Sequence, residues 1–366
     1  MSNIAFIVGN GLNFLIKHII DELPIKELSP TRVLRRNALS KNLGEITVLW
    51  KKFDSAFEEL REHFVAKGNK ISDEELIKLI SSVINFFSNL DGFEKVLSRE
   101  DISKLRVVLD GFLLKQIIAI ADEFRQHEGK GAYGGIREYF KNFEAEFDKL
   151  STHYGYKKTL FFTTNYDGIL DVLFSRQPFS FTKEDGFRSI SKNSEDFAEV
   201  KLAGVFLKFM PRFLYERKLI LCHIHGSYKF IKHFGKTYKL IGTRENTRPV
   251  IVFNRPEAKE YTISNDNVLA EYMRLFVQTL QSPDTKRLVI FGNSMEAEPH
   301  LKDAIRDYFS VKPGKKEIIL VSRDPEKIEI ELADYYKGDI INKSVRGVNT
   351  ENDLIQLFDY LLKPTI

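Results

Sequence analysis

Short apolar runs punctuate the chain at 3–8, 158–163, 218–224, 249–253, 287–291 and 317–321, and each stops abruptly at glycine or at polar residues. Runs of this length, rich in Ile, Val, Leu and Phe, read as strands buried on both faces, the pattern of a parallel sheet. Segments 12–21, 167–175, 265–281 and 298–309 carry apolar residues at helical spacing and lie between the strands. Strand and helix in alternation predict an α/β fold, a Rossmann-like, mostly parallel sheet flanked by helices.

Residues 43–150 follow a different rhythm. Leu76, Ile77, Ile80, Val83, Ile84 and Phe87 recur at helical spacing, and Leu105, Val108, Leu109, Phe112, Leu113 and Ile117 form a stripe in a helix expected over 101–127. Ser72 to Glu75 resembles a capping box, Gly129 to Gly135 reads as a flexible break, and 136–150 as a further helix. Because α/β elements lie on both sides, the block reads as a large α-helical insertion. The expected organisation is a Rossmann-type domain over 1–42 and 151–366, with a helical subdomain over 43–150. Such a block packs on the sheet or serves regulation and oligomerisation; periodicity does not separate these.

The chain has 366 residues, 43% of them hydrophobic, so it can bury a sizeable core. Phenylalanine is unusually common, at 30 residues. A net charge of +4, from 55 basic and 51 acidic residues, gives no nucleic-acid footprint. Basic residues do gather at Lys229, Lys232, Lys236, Lys239 and Arg244, a stretch expected as a solvated loop or hairpin. Cys222 is the only cysteine, which excludes an intramolecular disulfide and any multi-cysteine zinc site. Asn10, Asn13 and Lys17 interrupt the N-terminal apolar run, so neither a signal peptide nor a membrane span is expected, and a cytoplasmic protein is.

The candidate chemistry lies where strands end. Gly9-Asn-Gly-Leu-Asn13 opens a helix, and such a turn suits either a phosphate or a purely structural bend. Thr163-Thr-Asn-Tyr-Asp167 places Asn165, a two-way hydrogen-bonding amide, after a strand, with Asp167 at an expected helix N-cap. His223-Ile-His225-Gly-Ser places two histidines on one face of a strand, since side chains alternate. His225, before Gly226, is the candidate general base, and His223 a packed or orienting residue. A metal site is not expected here, because no carboxylate or cysteine partners are evident in the sequence. Phe291-Gly-Asn-Ser294 reads as a second phosphate-side turn, and Ser322-Arg-Asp324 as recognition of an adenosine ribose.

Taken in order, Gly-Asn-Gly-x-Asn, Thr-Thr-Asn-Tyr-Asp, His-x-His-Gly-Ser, Phe-Gly-x-Ser and a last strand with a polar end resemble a sirtuin-like domain, in particular the NAD-consuming bacterial proteins of phage defence. The resemblance spans residues 4–324. It implies NAD+ as substrate at the strand ends. Gly9, Asn10 and Gly11 would cradle the pyrophosphate, with Asn13 and Thr164 nearby. Asn165, Asp167 and His225 match the catalytic group. Gly226, Gly292, Ser294, Ser322 and Asp324 fall at cofactor contacts. The four-cysteine zinc module and the Gly-Ile-Pro-x-Phe-Arg segment of the protein deacylases are missing, so deacylation and zinc are not expected. The expectation is cleavage of the nicotinamide–ribose bond to nicotinamide and ADP-ribose by a homo-oligomer, with a partner ATPase or other defence protein. A non-catalytic NAD or ADP-ribose sensor and an assembly subunit are the alternatives.

Overall fold

The computed structural model describes residues 2–23, 30–48, 117–174, 183–189, 206–215, 218–233, 235–240, 249–252, 256–296, 298–310 and 316–364. The periodic residues between Leu76 and Leu113, the capping box at Ser72 and Arg244 lie outside them.

Seven strands form the main sheet: β1 (Asn3–Val8), β2 (Lys158–Thr163), β3 (Lys183–Glu184), β6 (Leu219–His223), β10 (Thr285–Phe291), β11 (Glu317–Ser322) and β12 (Asp339–Ser344). Their order is β12-β11-β10-β1-β2-β6-β3, and every pairing is parallel. The chain runs outward from β1 through β2 to the edge strand β3, comes back to place β6 between β2 and β3, then crosses to β10 on the other side of β1. The order therefore reverses at β1 and β10, and the crevice at their carboxyl ends is where such folds bind ligands.

Unbroken apolar runs are explained by helices on both faces of the sheet. Phe6, Val8, Phe161, Val289 and Ile319 face one core, with α1 (Gly11–Asp21) and α11 (Glu351–Leu362). Ala5, Ile7, Leu160, Phe162, Leu288 and Ile290 face the other, with α8 (Asn267–Gln281). The phenylalanine surplus fills the first core: Phe6 stacks on Phe161 with ring centroids 4.5 Å apart, and Phe147, Phe174 and Phe358 meet around them. Cys222 is buried in the second core, where desolvation pushes its thiol well up.

Between β1 and β2 the described chain is helical: α2 (Pro30–Val48), α3 over 117–129, α4 (Ala132–Tyr139) and α5 (Phe143–His153). The helix expected over 136–150 is thus two, broken at Phe140. The break expected from Gly129 to Gly135 is only a tight turn at 130–131, with Gly131 at φ 79°, and Gly134 and Gly135 lie within α4. After β2 come α6 (Ile169–Leu173) and, later, α7 (Pro256–Ser264), α9 (Pro299–Ala304, extended by a π turn to Phe309) and α10 (Pro325–Leu332). No described helix is long and apolar enough to cross a membrane.

A second sheet was not foreseen. It is antiparallel, in the order β4-β5-β8-β7-β9, from β4 (Phe187–Ser189), β5 (Phe206–Phe209), β7 (Gly226–His233), β8 (Lys236–Leu240) and β9 (Pro249–Ile251). The run at 249–253 belongs here, not to the parallel sheet. The basic stretch forms the β7–β8 hairpin, but it is less solvated than expected. Lys229 pairs with Glu128 at 2.6 Å and Lys232 with Asp266 at 3.4 Å, while Lys239 lies half-buried 2.5 Å from Asp185 and 3.2 Å from Asp171.

Candidate active site

The two glycine turns touch each other. Gly9 N–H donates to the Phe291 carbonyl at 2.9 Å, Gly11 N–H to that of Gly292 at 2.8 Å, and Gly292 N–H to that of Val321 at 2.7 Å. A Cβ on Gly11 would lie 2.5 Å from the Gly292 Cα, and Gly292 sits at φ 63°. Only residues without a side chain allow this backbone contact. The Gly9 and Gly11 amides are therefore engaged, and these glycines act through close approach rather than as a free N–H cradle. The polar side chains of this turn are Asn10 and Asn13.

Asn13 turns inward from α1 and joins the end of β2. Its amide Nδ2 donates to Asp167 Oδ2 and, at 3.0 Å, to Asn10 Oδ1, while its Oδ1 accepts from Asn165 Nδ2 at 3.4 Å. Asn165 is positioned by its own backbone: its N–H donates to Thr163 Oγ1 at 3.0 Å, and that hydroxyl donates to the Val8 carbonyl at 3.1 Å. Asp167 Oδ1 accepts from Ile169 N–H at 2.8 Å. The helix begins at Ile169, with Gly168 as N-cap, so Asp167 precedes the cap, yet its carboxylate still serves the first turn. It thus caps with one oxygen and holds Asn13 with the other. Burial raises the Asp167 pKa above its ordinary value, against the lowering effect of the Ile169 and Asn13 hydrogen bonds.

The two histidines part company. His223, the last residue of β6, bridges the Asn165 carbonyl (Nδ1, 3.1 Å) and Asp171 Oδ2 (Nε2, 2.6 Å). Burial alone would raise Asp171, but Lys183 at 3.0 Å, Lys239 and His223 outweigh it and hold the carboxyl well below its usual range. His225 lies beyond the strand and faces elsewhere. Its Nε2 is 3.1 Å from His300 Nε2 and 3.3 Å from Glu298 Oε2, and Lys259 Nζ is 3.2 Å from that same oxygen. Burial and then His225 lower the His300 pKa to about 3. Burial pushes Glu298 up, but His225, Lys259 and His300 prevail and bring it down to about 2. No carboxylate partner set for the two histidines is evident in the sequence; in the structure Asp171 partners His223, and Glu298 and His300 partner His225. Their signal was Glu298-Pro-His300, close behind the Gly292 turn.

The remaining candidates divide. Asn293, not Ser294, is the inward residue of the second turn: its Nδ2 donates to Thr164 Oγ1 at 3.0 Å and its Oδ1 accepts from Met295 N–H at 2.8 Å, while Ser294 is exposed. Gly226, at φ 85°, is required by strand pairing, since a Cβ would lie 2.0 Å from the Val250 carbonyl oxygen. Asp324 is held in a surface ion pair with Arg346, which lowers its pKa. Ser322 lines a cavity of about 810 Å³, together with Gly11, Lys17, Gly292, Arg323 and Arg346. That volume falls within the ~300–1,000 Å³ of small-molecule sites. The buried Ser322 Oγ has no hydrogen-bond partner among the described residues.

No protein-family model and no curated protein matches this chain.

Proposed function

We propose that this protein is a sirtuin-like NAD+ glycohydrolase that depletes NAD+ in antiphage defence. One observation carries the reading. The cavity at the reversal of strand order, lined by Lys17, Asp21, Arg323 and Arg346, runs along Gly11 and the first turns of α1, and Asn13 of that same helix joins the buried Asn165–Asp167 cluster, whose members do not line the cavity. Lys17, Arg323 and Arg346 suit the pyrophosphate of a dinucleotide, and the amide cluster suits a ribose hydroxyl or a water.

In this reaction the bond between the ribose C1′ and the nicotinamide nitrogen breaks, and its electron pair leaves with nicotinamide. A water oxygen bonds to C1′ and releases a proton. Asn165 orients the ribose or the water, Asp167 fixes Asn13 against Asn165, and His225 accepts the proton. Exclusion of bulk water strengthens each of these interactions. Homo-oligomerisation and a partner ATPase belong to the same reading, as does a cytoplasmic location.

The test is incubation of the purified protein with NAD+, resolving nicotinamide, ADP-ribose and cyclic products, alone and with a candidate partner. Nicotinamide release that disappears in Asn165→Ala is expected; no release under any condition overturns the reading. One observation favours a binding-only sensor, namely that His225 is engaged with His300 and Glu298 rather than with the Asn165 cluster. Tight NAD+ binding with no nicotinamide release over hours would identify that case.

A further inference from the structure

We infer that His225, His300 and Glu298 form a binding site for a divalent transition-metal ion of the zinc class, and that an ion there restrains hydrolysis. The three side chains converge from two elements: His225 from the turn after β6, Glu298 and His300 from the start of α9. They are 2%, 9% and 8% exposed, respectively. One donor atom from each lies within 4.8 Å of the others.

The distances suit a shared ion. Two donors at ~2.0–2.2 Å from a tetrahedral zinc stand ~3.3 Å apart. The observed separations are 3.1 Å between the histidine Nε2 atoms and 3.3 Å from His225 Nε2 to Glu298 Oε2. Two imidazole nitrogens meeting tip to tip have room for one proton between them, and an ion satisfies both lone pairs. His300 Nδ1 is buried without a hydrogen-bond partner among the described residues, 3.8 Å from Glu298 Oε2. Two nitrogens and a carboxylate select zinc, cobalt or nickel over calcium and magnesium, which prefer all-oxygen shells. Lys259 donates to Glu298 from outside the trio and orients it, as an outer-shell partner does. Its positive charge also opposes a dication, which favours an anion such as hydroxide or chloride at the open fourth position.

The consequence for activity rests on the hydrolysis reading, whereas the binding does not. A His225 lone pair held by an ion is not available to accept a proton, so the ion is inhibitory and a chelator activates.

The experiment uses the full chain, stripped with chelator, dialysed and titrated with Co²⁺ while the visible bands of the bound ion are followed. Zn²⁺ is then measured by equilibrium dialysis. One equivalent is expected, weakened at least ten-fold in His300→Asn and in Glu298→Gln and unchanged in the exposed control His153→Asn. Circular dichroism checks each variant. Absence of saturable binding to the unmutated protein overturns the proposal, whatever the variants do, and so does equal binding by a folded His300→Asn or Glu298→Gln protein. Should both variants unfold, a rise in the melting temperature of the unmutated protein with Zn²⁺ supports the site, and no rise overturns it. Ion binding with no nicotinamide release by the chelator-stripped protein leaves the site and removes the hydrolysis reading; NAD+ consumption by the stripped protein with no saturable ion binding does the reverse, and consumption that Zn²⁺ does not slow removes the restraint.

Discussion

The ends of β2 and β6 are neighbours in one sheet, yet they are built from different chemistry. At the end of β2 a set of amides, hydroxyls and one carboxyl locks together through hydrogen bonds, and burial raises Asp167. At the end of β6 the groups are ionic: His223 joins the Asp171–Lys183–Lys239 network, and His225 joins Glu298, His300 and Lys259. The first arrangement holds a shape with little charge, as suits recognition of a sugar or water. The second concentrates groups that move protons or hold ions. A site assembled across both ends has positioning on one side and reactivity on the other.

The largest expected effect breaks the turn that carries His225. Gly226→Ala drives a Cβ into the Val250 carbonyl at φ 85° and should cost more than about 3 kcal/mol in thermal or urea unfolding. Gly131→Ala, at φ 79° but in open space, should cost about 1 kcal/mol. Equal losses would show that strain rather than strand contact governs Gly226.

Asp171→Asn comes next. Removing the carboxylate leaves Lys183 facing an uncharged group and Lys239 with Asp185 alone; breaking a fully buried pair costs about 3–5 kcal/mol, and partial solvent access to these groups brings the expected loss to about 2–3 kcal/mol. The Asp171 pKa is depressed in the folded state from an ordinary 3.8, so its stabilisation is full above that value and is lost as pH falls through the lower folded one. Urea midpoints below pH 4 should therefore fall more steeply in the unmutated protein than in Asp171→Asn. Parallel curves would remove Asp171 as the acid-sensitive group.

Asn165→Ala tests the β2 side. If hydrolysis is the function, nicotinamide release should drop about 10²–10³-fold, while stability falls only about 1–2 kcal/mol, from lost hydrogen bonds. A folded variant with full turnover would move the chemistry to the β6 side. The smallest effects separate the two residues of the Gly292 turn. Asn293→Ala should cost about 1–2 kcal/mol through its bonds to Thr164 and Met295. Exposed Ser294→Ala should stay within about 0.5 kcal/mol, and a reversed order would restore Ser294 as the inward residue.

Legibility followed the distance over which each feature is specified. The central strands were readable because burial on both faces writes an unbroken apolar run into each. The edge strand β12, Asp-Ile-Ile-Asn-Lys-Ser, mixes exposed and half-buried positions and carries no such run. Strands β4 and β5 are three and four residues long, too short for a pattern, and only pairing makes them a sheet. Lys239 looked like a solvated charge because nothing local announces Asp171, 68 residues earlier, or Asp185.

By itself, the sequence determined the parallel α/β core, the glycine turns, and Asn165 and His225 as polar residues at strand ends, because these follow from local burial and backbone freedom. Only the tertiary structure decided what those residues face. Asn13 reaches Asp167 across 154 positions and His225 reaches His300 across 75, and contacts that far apart exist only once the strands are in order. The same closure turned Gly9 and Gly11 toward Gly292, engaging amides that the sequence alone left open for a phosphate.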